Sequence, residues 1–186
     1  ASGEVSAPIR FRMLETVQQY GHERLADSNE LEPLRRRHCE FFVALAEEAV
    51  PNLMGREQQA WHQRLAQDVG NLRSALEWSL IGPSSRGGLR LCGALQRFWW
   101  TRGHLSEGRQ RCTRVLCKAG AEERTLERAN VLNAAGGLAN EQADYPAARA
   151  LLEESLAIRR ELGDRFGIAA SLNNLGNAAV EKGDAS

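Results

Sequence analysis

Lysine is scarce in this chain: Lys118 and Lys182 are the only two in 186 residues. Neither follows a glycine-rich turn, and no GxxxxGK followed by Ser or Thr occurs, so the sequence holds no phosphate loop. Cysteine is equally sparse. Cys39, Cys92, Cys112 and Cys117 form no CxxC pair and no framework spacing. That argues against a zinc site and against a disulfide scaffold, and it suits reduced thiols in a reducing, cytoplasmic compartment. No apolar run approaches the roughly 18 residues of a membrane span. Charge of one sign is also missing: 24 basic residues meet 24 acidic ones. Residues 1–128 carry 19 basic and 16 acidic side chains, and residues 129–186 carry 5 and 8. So even a balance argues against a dedicated nucleic-acid or membrane-surface binder, since affinity for phosphates comes from clustered cations. No Ser nucleophile elbow appears. His38 adjoins Cys39, but consecutive helical residues do not face each other. No enzymatic activity, cofactor or metal is expected of these residues.

What is present is a repeat. Ala129–Pro146 and Ala169–Ser186, offset by 40, share 7 of 18 residues, among them Leu132/Leu172, Asn133/Asn173, Gly136/Gly176 and Asp144/Asp184. A further step back gives a weaker copy, with Arg109 opposite Arg149 and Leu116 opposite Leu156. The sequence divides into copies at 89–128, 129–168 and 169–186, the last truncated. Each copy reads as two helices. In the middle one the first helix spans about Glu127 to Gln142, and Ala143-Asp144-Tyr145-Pro146 makes a turn. Asp144 is its N-cap, and Pro146 stands early in the next helix. Tyr145, Ala148, Leu152, Ser155 and Leu156 fall on one face of that second helix, which Gly163-Asp164 ends near Leu162. Gly136 and Gly176 sit in mid-helix at the same phase. Each costs about 1 kcal/mol against Ala there, so a close helix crossing is expected.

These features resemble the tetratricopeptide repeat, whose usual period is 34. Here the period is 40, with the extra residues expected between repeats around Gly163–Ile168. Leu172-Asn173-Asn174-Leu175-Gly176 is similar to the long-period repeats of kinesin light chains and bacterial regulators. In the first copy Gln96 replaces the helix glycine, Gly108 replaces the small Ala, and Phe98-Trp99-Trp100 is atypical, as suits an end repeat.

Upstream the period fails but the helical pattern persists. Leu34, Phe41, Phe42, Leu45 and Ala49 mark one helix that stops at Pro51. Others span about Glu57 to Gln67 and Asn71 to Leu80, and residues 81–88 read as a loop. Ile9–Leu14 alternates apolar and polar residues, a strand-like run, and a helix follows from Glu15 to about Ala26. Three strings occur in order: Phe11-Arg12-Met13-Leu14-Glu15-Thr16-Val17-Gln18-Gln19-Tyr20-Gly21, then Asp68-Val69-Gly70-Asn71-Leu72-Arg73-Ser74-Ala75-Leu76, then Phe98-Trp99-Trp100-Thr101-Arg102-Gly103-His104. Together with the repeats they resemble the region after the nucleotide-binding core of bacterial STAND-type signal-transduction ATPases. Those are often transcriptional regulators with LuxR-type or SARP-type DNA-binding domains.

That resemblance implies a remnant of a winged-helix domain over 1–30, a helical linker over 31–88 and tetratricopeptide-like repeats over 89–186. The expected fold is all-α, a right-handed solenoid of helix pairs. Because Ala1 is not Met and the chain stops at Gly183-Asp184-Ala185-Ser186, it reads as a piece of a longer protein. The implied function is a protein-interaction or sensor module of such a regulator, binding a protein, a peptide or the parent's own nucleotide-binding core. A free-standing tetratricopeptide adaptor without an ATPase is the alternative, and a nucleic-acid-binding piece a third.

Asn133, Asn140, Asn173 and Asn177, with Glu141 and Glu181 beside them, fall on the face that lines the concave groove in tetratricopeptide arrays. An Asn amide both donates to and accepts from a peptide backbone, although Asn133 and Asn173 could instead tie neighbouring helices. Arg97 and Trp100 hold the equivalent places in the first copy, where an exposed Trp beside Arg would anchor a partner. Arg35-Arg36-Arg37-His38 and Arg109-Gln110-Arg111 with Arg114 read as solvated faces. Glu153/Glu154 with Arg159/Arg160 read as surface ion pairs, and His104 as a turn or capping residue. A last helix without its partner would leave Leu172, Leu175, Ala179 and Val180 partly bare, so self-association or fraying is expected there.

Overall fold

The periodicity predicts helices, and the computed structural model, which describes residues 14–82, 84–118 and 120–181, contains helices and no strand among them. They are α1 (Glu15–Asp27), α2 (Leu31–Ala49), α3 (Gln58–Gln67), α4 (Val69–Ile81), α5 (Arg86–Thr101), α6 (Leu105–Leu116), α7 (Leu126–Glu141), α8 (Tyr145–Leu162) and α9 (Arg165–Glu181), with a 3-10 turn at Val50–Asn52. The strand-like run expected at Ile9–Leu14 lies, up to residue 13, outside the described residues, as does the Gly183-Asp184 turn.

The chain divides into two units, residues 1–36 and 37–186. In the first, α1 turns at Ser28-Asn29, where Asn29 takes a positive φ of 59°. Its Val17 and Tyr20 are exposed, and Arg24 lies against the Tyr20 ring.

The second unit is an α-solenoid of helix pairs. α5 packs on α6 and α7, α7 on α8, and α8 on α9, so each pair rests on the next. α4 extends the stack upstream, packing on α5 and α6. One apolar core runs from Cys39, Phe42 and Leu45 through Leu72, Leu76, Leu91, Leu95 and Trp99 to Val131 and Leu138. Ala129, Leu132 and Ile158 form a smaller cluster between α7 and α8. Such a stack draws its stability from neighbouring interfaces rather than from distant contacts.

Several local readings change in the structure. Phe41 and Leu34 are exposed; the buried stripe of α2 is Cys39, Phe42, Val43, Leu45, Ala46 and Ala49, because one residue's step turns Phe41 about 100° away from Phe42. Gly87 and Gly88 belong to α5 rather than to a loop. A Cβ on Gly88 would stand 2.6 Å from the Ser79 hydroxyl and 3.2 Å from Val115, so glycine lets α5 approach α4. The extra residues of the 40-residue period do not form a loop either. α8 is 18 residues long against 12 for α6, and only Gly163-Asp164 separates it from α9. Gly163 closes α8 in the left-handed conformation, φ 71°.

The middle turn forms as the sequence predicts: Asp144 accepts from the Ala147 N–H at 3.3 Å and Pro146 stands in the first turn of α8. Close crossing holds at Gly136, where a Cβ would lie 2.7 Å from Leu152 Cγ and 3.2 Å from the Ala148 carbonyl. At Gly176 nothing lies within 4 Å.

Candidate binding groove

The first helices of the pairs, α5 and α7, stand side by side. Gly93 faces Asn130, since a Cβ there would lie 3.0 Å from that of Asn130, and Gln96 lies over Gly137. Between them runs a groove of about 400 Å³ whose lining includes Val50, Gln96, Leu126, Asn130, Asn133 and Arg159. Val50 and Leu126 are about half exposed at its edge.

The floor is held from below by Arg159, near the end of α8. It is 6% exposed. Its guanidinium donates to the Ser155 hydroxyl at 3.2 Å, to Asp164 Oδ2 at 2.6 Å and to Asn130 Oδ1 at 2.7 Å. Asp164 also caps α9 by accepting from the Gly167 N–H at 3.0 Å. Gly167 is small of necessity: a Cβ there would fall 1.5 Å from Arg159 Nη1. The surface ion pairs read for this stretch therefore need correction. Arg159 is a buried hub, while Glu153 pairs with Arg149 and Glu154 with Arg128. Spacing alone could not find this, because Arg159 looks like its exposed neighbour Arg160.

The predicted groove residues separate into two sets. Asn133 is buried, and its Oδ1 accepts from Asn174 Nδ2 at 3.1 Å and from the Ser171 hydroxyl at 3.4 Å, tying α7 to α9. It also lines the groove. Asn140 is buried, whereas Glu141, Asn173 and Asn177 are exposed. The side chain of Glu181 lies outside the described residues. Trp100 is 43% exposed, with the Arg97 guanidinium 4.7 Å from its ring centre. The structure does not place Arg97, Trp100, Asn173 or Asn177 in the groove lining. Sequence reasoning missed Gln96, Asn130 and Arg159. Asn130 could have been found three residues before Asn133, one helical turn away.

The arginines of α4 and α6 bond to partners within the fold. Arg109 bonds Asp144 and Gln142, Arg111 and Arg114 both bond Glu77, and Arg73 meets Glu107 at 2.6 Å. Arg114, then Arg111, hold the Glu77 carboxyl down to about 2. His104 occupies the N-cap position of α6, but its side chain makes no capping bond; the ring lies 6.2 Å from that of Phe98. Burial pushes the Cys39 thiol up and the His38 imidazole down, which disfavours a thiolate–imidazolium pair. No group of three metal-ligating side chains gathers among the described residues, and no described helix is long and apolar enough to cross a membrane.

Residues 127–186 match the tetratricopeptide repeat family. The chain is also similar to a candidate HTH-type transcriptional regulator of Mycobacterium tuberculosis (strain ATCC 25618 / H37Rv), with 30% identity over 176 residues. That alignment takes in 90% of this chain and 20% of the relative. A candidate HTH-type regulator of Mycobacterium bovis (strain ATCC BAA-935 / AF2122/97) aligns with the same identity and coverage. The chain spans about a fifth of the length of these relatives. No solved structure matches it.

Proposed function

We propose that this chain is the protein-interaction and sensor part of a larger bacterial signal-transduction ATPase that regulates transcription, and that its partner lies in the groove between α5 and α7. The observation that carries this reading is the extent of the similarity. It covers 90% of the chain, well beyond the repeat at 127–186, and so includes the linker region that a free-standing adaptor need not share. The domain plan is the same proposal: a winged-helix remnant over 1–30, a helical linker over 31–88, then repeats. α4 supports a refinement of it, since it stacks on α5 and α6 as a repeat helix would. A groove occupant shifts a regulator between states only by binding one state more tightly.

The test is the coding sequence on both sides of this segment. A phosphate loop within roughly 300 residues upstream, after a strand, supports the ATPase regulator. A start codon just before Ala1 turns the proposal to an adaptor. The outer face of α9, with Leu172 47% exposed and Gly176 uncrowded, supports self-association of the isolated chain. A strictly monomeric sedimentation profile at high concentration would remove that part.

A further inference from the structure

We propose that Cys92 and Cys112 form a redox-modification site: on exchange with a low-molecular-weight disulfide their thiols close a bridge that ties α5 to α6. The site lies in the core of the first repeat pair, outside the groove lining, and does not rest on the groove reading.

The helix register puts the two side chains together. The 40-residue repeat sets Cys92 at the place of Leu132 and Cys112 at the place of Leu152. Both leucines are buried where α7 packs on α8. In the first pair, two close approaches fix how α5 lies on α6. A Cβ on Gly88 would stand 3.2 Å from Val115 Cγ2, and one on Gly108 would stand 2.7 Å from the Trp99 ring. Cys92 comes one turn after Gly88 and Cys112 one turn before Val115, between those two approaches. Both residues are 0% exposed, and their thiols hydrogen-bond each other.

A disulfide needs Cα atoms within about 7 Å and Cβ atoms about 4 Å apart. Glycine at 88 and 108 lets the two helices come close on either side of the cysteines. Leucine at both places, as in the middle pair, would bury more apolar volume. A cysteine pair gives up that volume and gains a covalent bond that leucine cannot form.

Burial, then the hydrogen bond with Cys112, pushes the Cys92 thiol well up, so the closed pair stays protonated and unreactive. Exchange therefore waits for α6 to open from α5, which returns the thiols to water. One thiol then loses its proton, and its thiolate attacks a sulfur of the oxidant's disulfide, expelling one oxidant thiolate. The second protein thiolate attacks the protein sulfur of this mixed disulfide and expels the other oxidant thiolate. The two protons released end on the two oxidant thiols. The protein is oxidised by two electrons and the oxidant reduced by two. The closed bridge confines residues 93–111 to a loop and opposes further opening.

The test incubates the reduced chain with oxidised glutathione under native conditions. Acid stops the exchange, N-ethylmaleimide blocks the remaining thiols in denaturant, and a tryptic digest is mapped by mass spectrometry. Trypsin cuts after Arg90, Arg97, Arg111 and Arg114, so the bridge appears as residues 91–97 joined to 112–114. The expected result is that joined pair as the main product, with the chain lighter by two hydrogens. The melting temperature of the bridged chain should rise by roughly 5–10 °C and return with dithiothreitol. Cys112→Ala should lose both the joined pair and the rise. If that variant does not fold, the mapping of the parent chain still decides. Thiols left free, glutathione adducts with no joined pair, bridges to Cys39 or Cys117 instead, or a bridged chain that melts no higher than the reduced one would each overturn the proposal.

Discussion

Gly136 and Gly176 occupy the same phase of two repeat copies, yet their surroundings are opposite. Gly136 is pressed by Leu152 and the Ala148 carbonyl, whereas Gly176 has open space. The same contrast separates the two sides of α9. Its inner side is bonded to α7 and α8 through Ser171, Asn174 and the Asp164 cap, and its outer side bares Leu172. What a glycine contributes is therefore set by the helix that lies against it: α8, the second helix of its own pair, presses on Gly136, and no described residue presses on Gly176.

The largest expected effect breaks the tied side. Arg159→Leu leaves Asp164 without its cation and Asn130 without its donor, and should cost about 3 kcal/mol, read by urea denaturation. Gly136→Ala comes next. Overpacking against Leu152 should cost about 1–3 kcal/mol, offset in part by about 1 kcal/mol of helix propensity. Gly176→Ala sharpens the contrast by moving the other way: with no crowding to oppose it, it should stabilise by up to about 1 kcal/mol. Equal effects at the two glycines would refute the difference between their surroundings.

The smallest effect lies at the α4–α6 junction, where Glu77 is half exposed and solvent screens its pairs. Its carboxyl titrates at about 2 in the fold against an ordinary 4.5. A depressed folded pKa adds stability that is fully present above the ordinary value and lost as pH falls toward 2. The melting temperature should fall over that window, and Glu77→Gln should make the fall shallower. An unchanged slope in the variant would assign the acid sensitivity to other carboxylates, among which Glu107, Glu161 and Asp144 are also held low by arginines.

The helix pairs were legible because a 40-residue identity and a 3.6-residue stripe act on every copy alike. The turn at Asp144-Tyr145-Pro146 was legible because cap and proline chemistry are local. The 3-10 turn at Pro51 was half legible: proline stops α2, but only packing decides the shape of the segment leading into α3. Gly87 and Gly88 misled because a glycine pair reads as a loop until Ser79 and Val115 are seen against them. The groove was the least legible part. Asn133 was marked for its donors and acceptors, but its oxygen is occupied by α9, through a contact 41 residues away in sequence. Arg159 could not be separated from Arg160 by composition, since what distinguishes them is Gly167, a space that only the folded chain creates.

The central claim is that recognition happens in the groove and not on the outer helices. A photo-crosslinking residue placed at Leu126, on the groove edge, is compared with one at exposed Gln110 on α6, in the full-length protein in its native cells. The account predicts a discrete crosslinked partner, or the parent's own core, from position 126 and none from position 110. Crosslinks of the same partner from position 110, with none from 126, would contradict it.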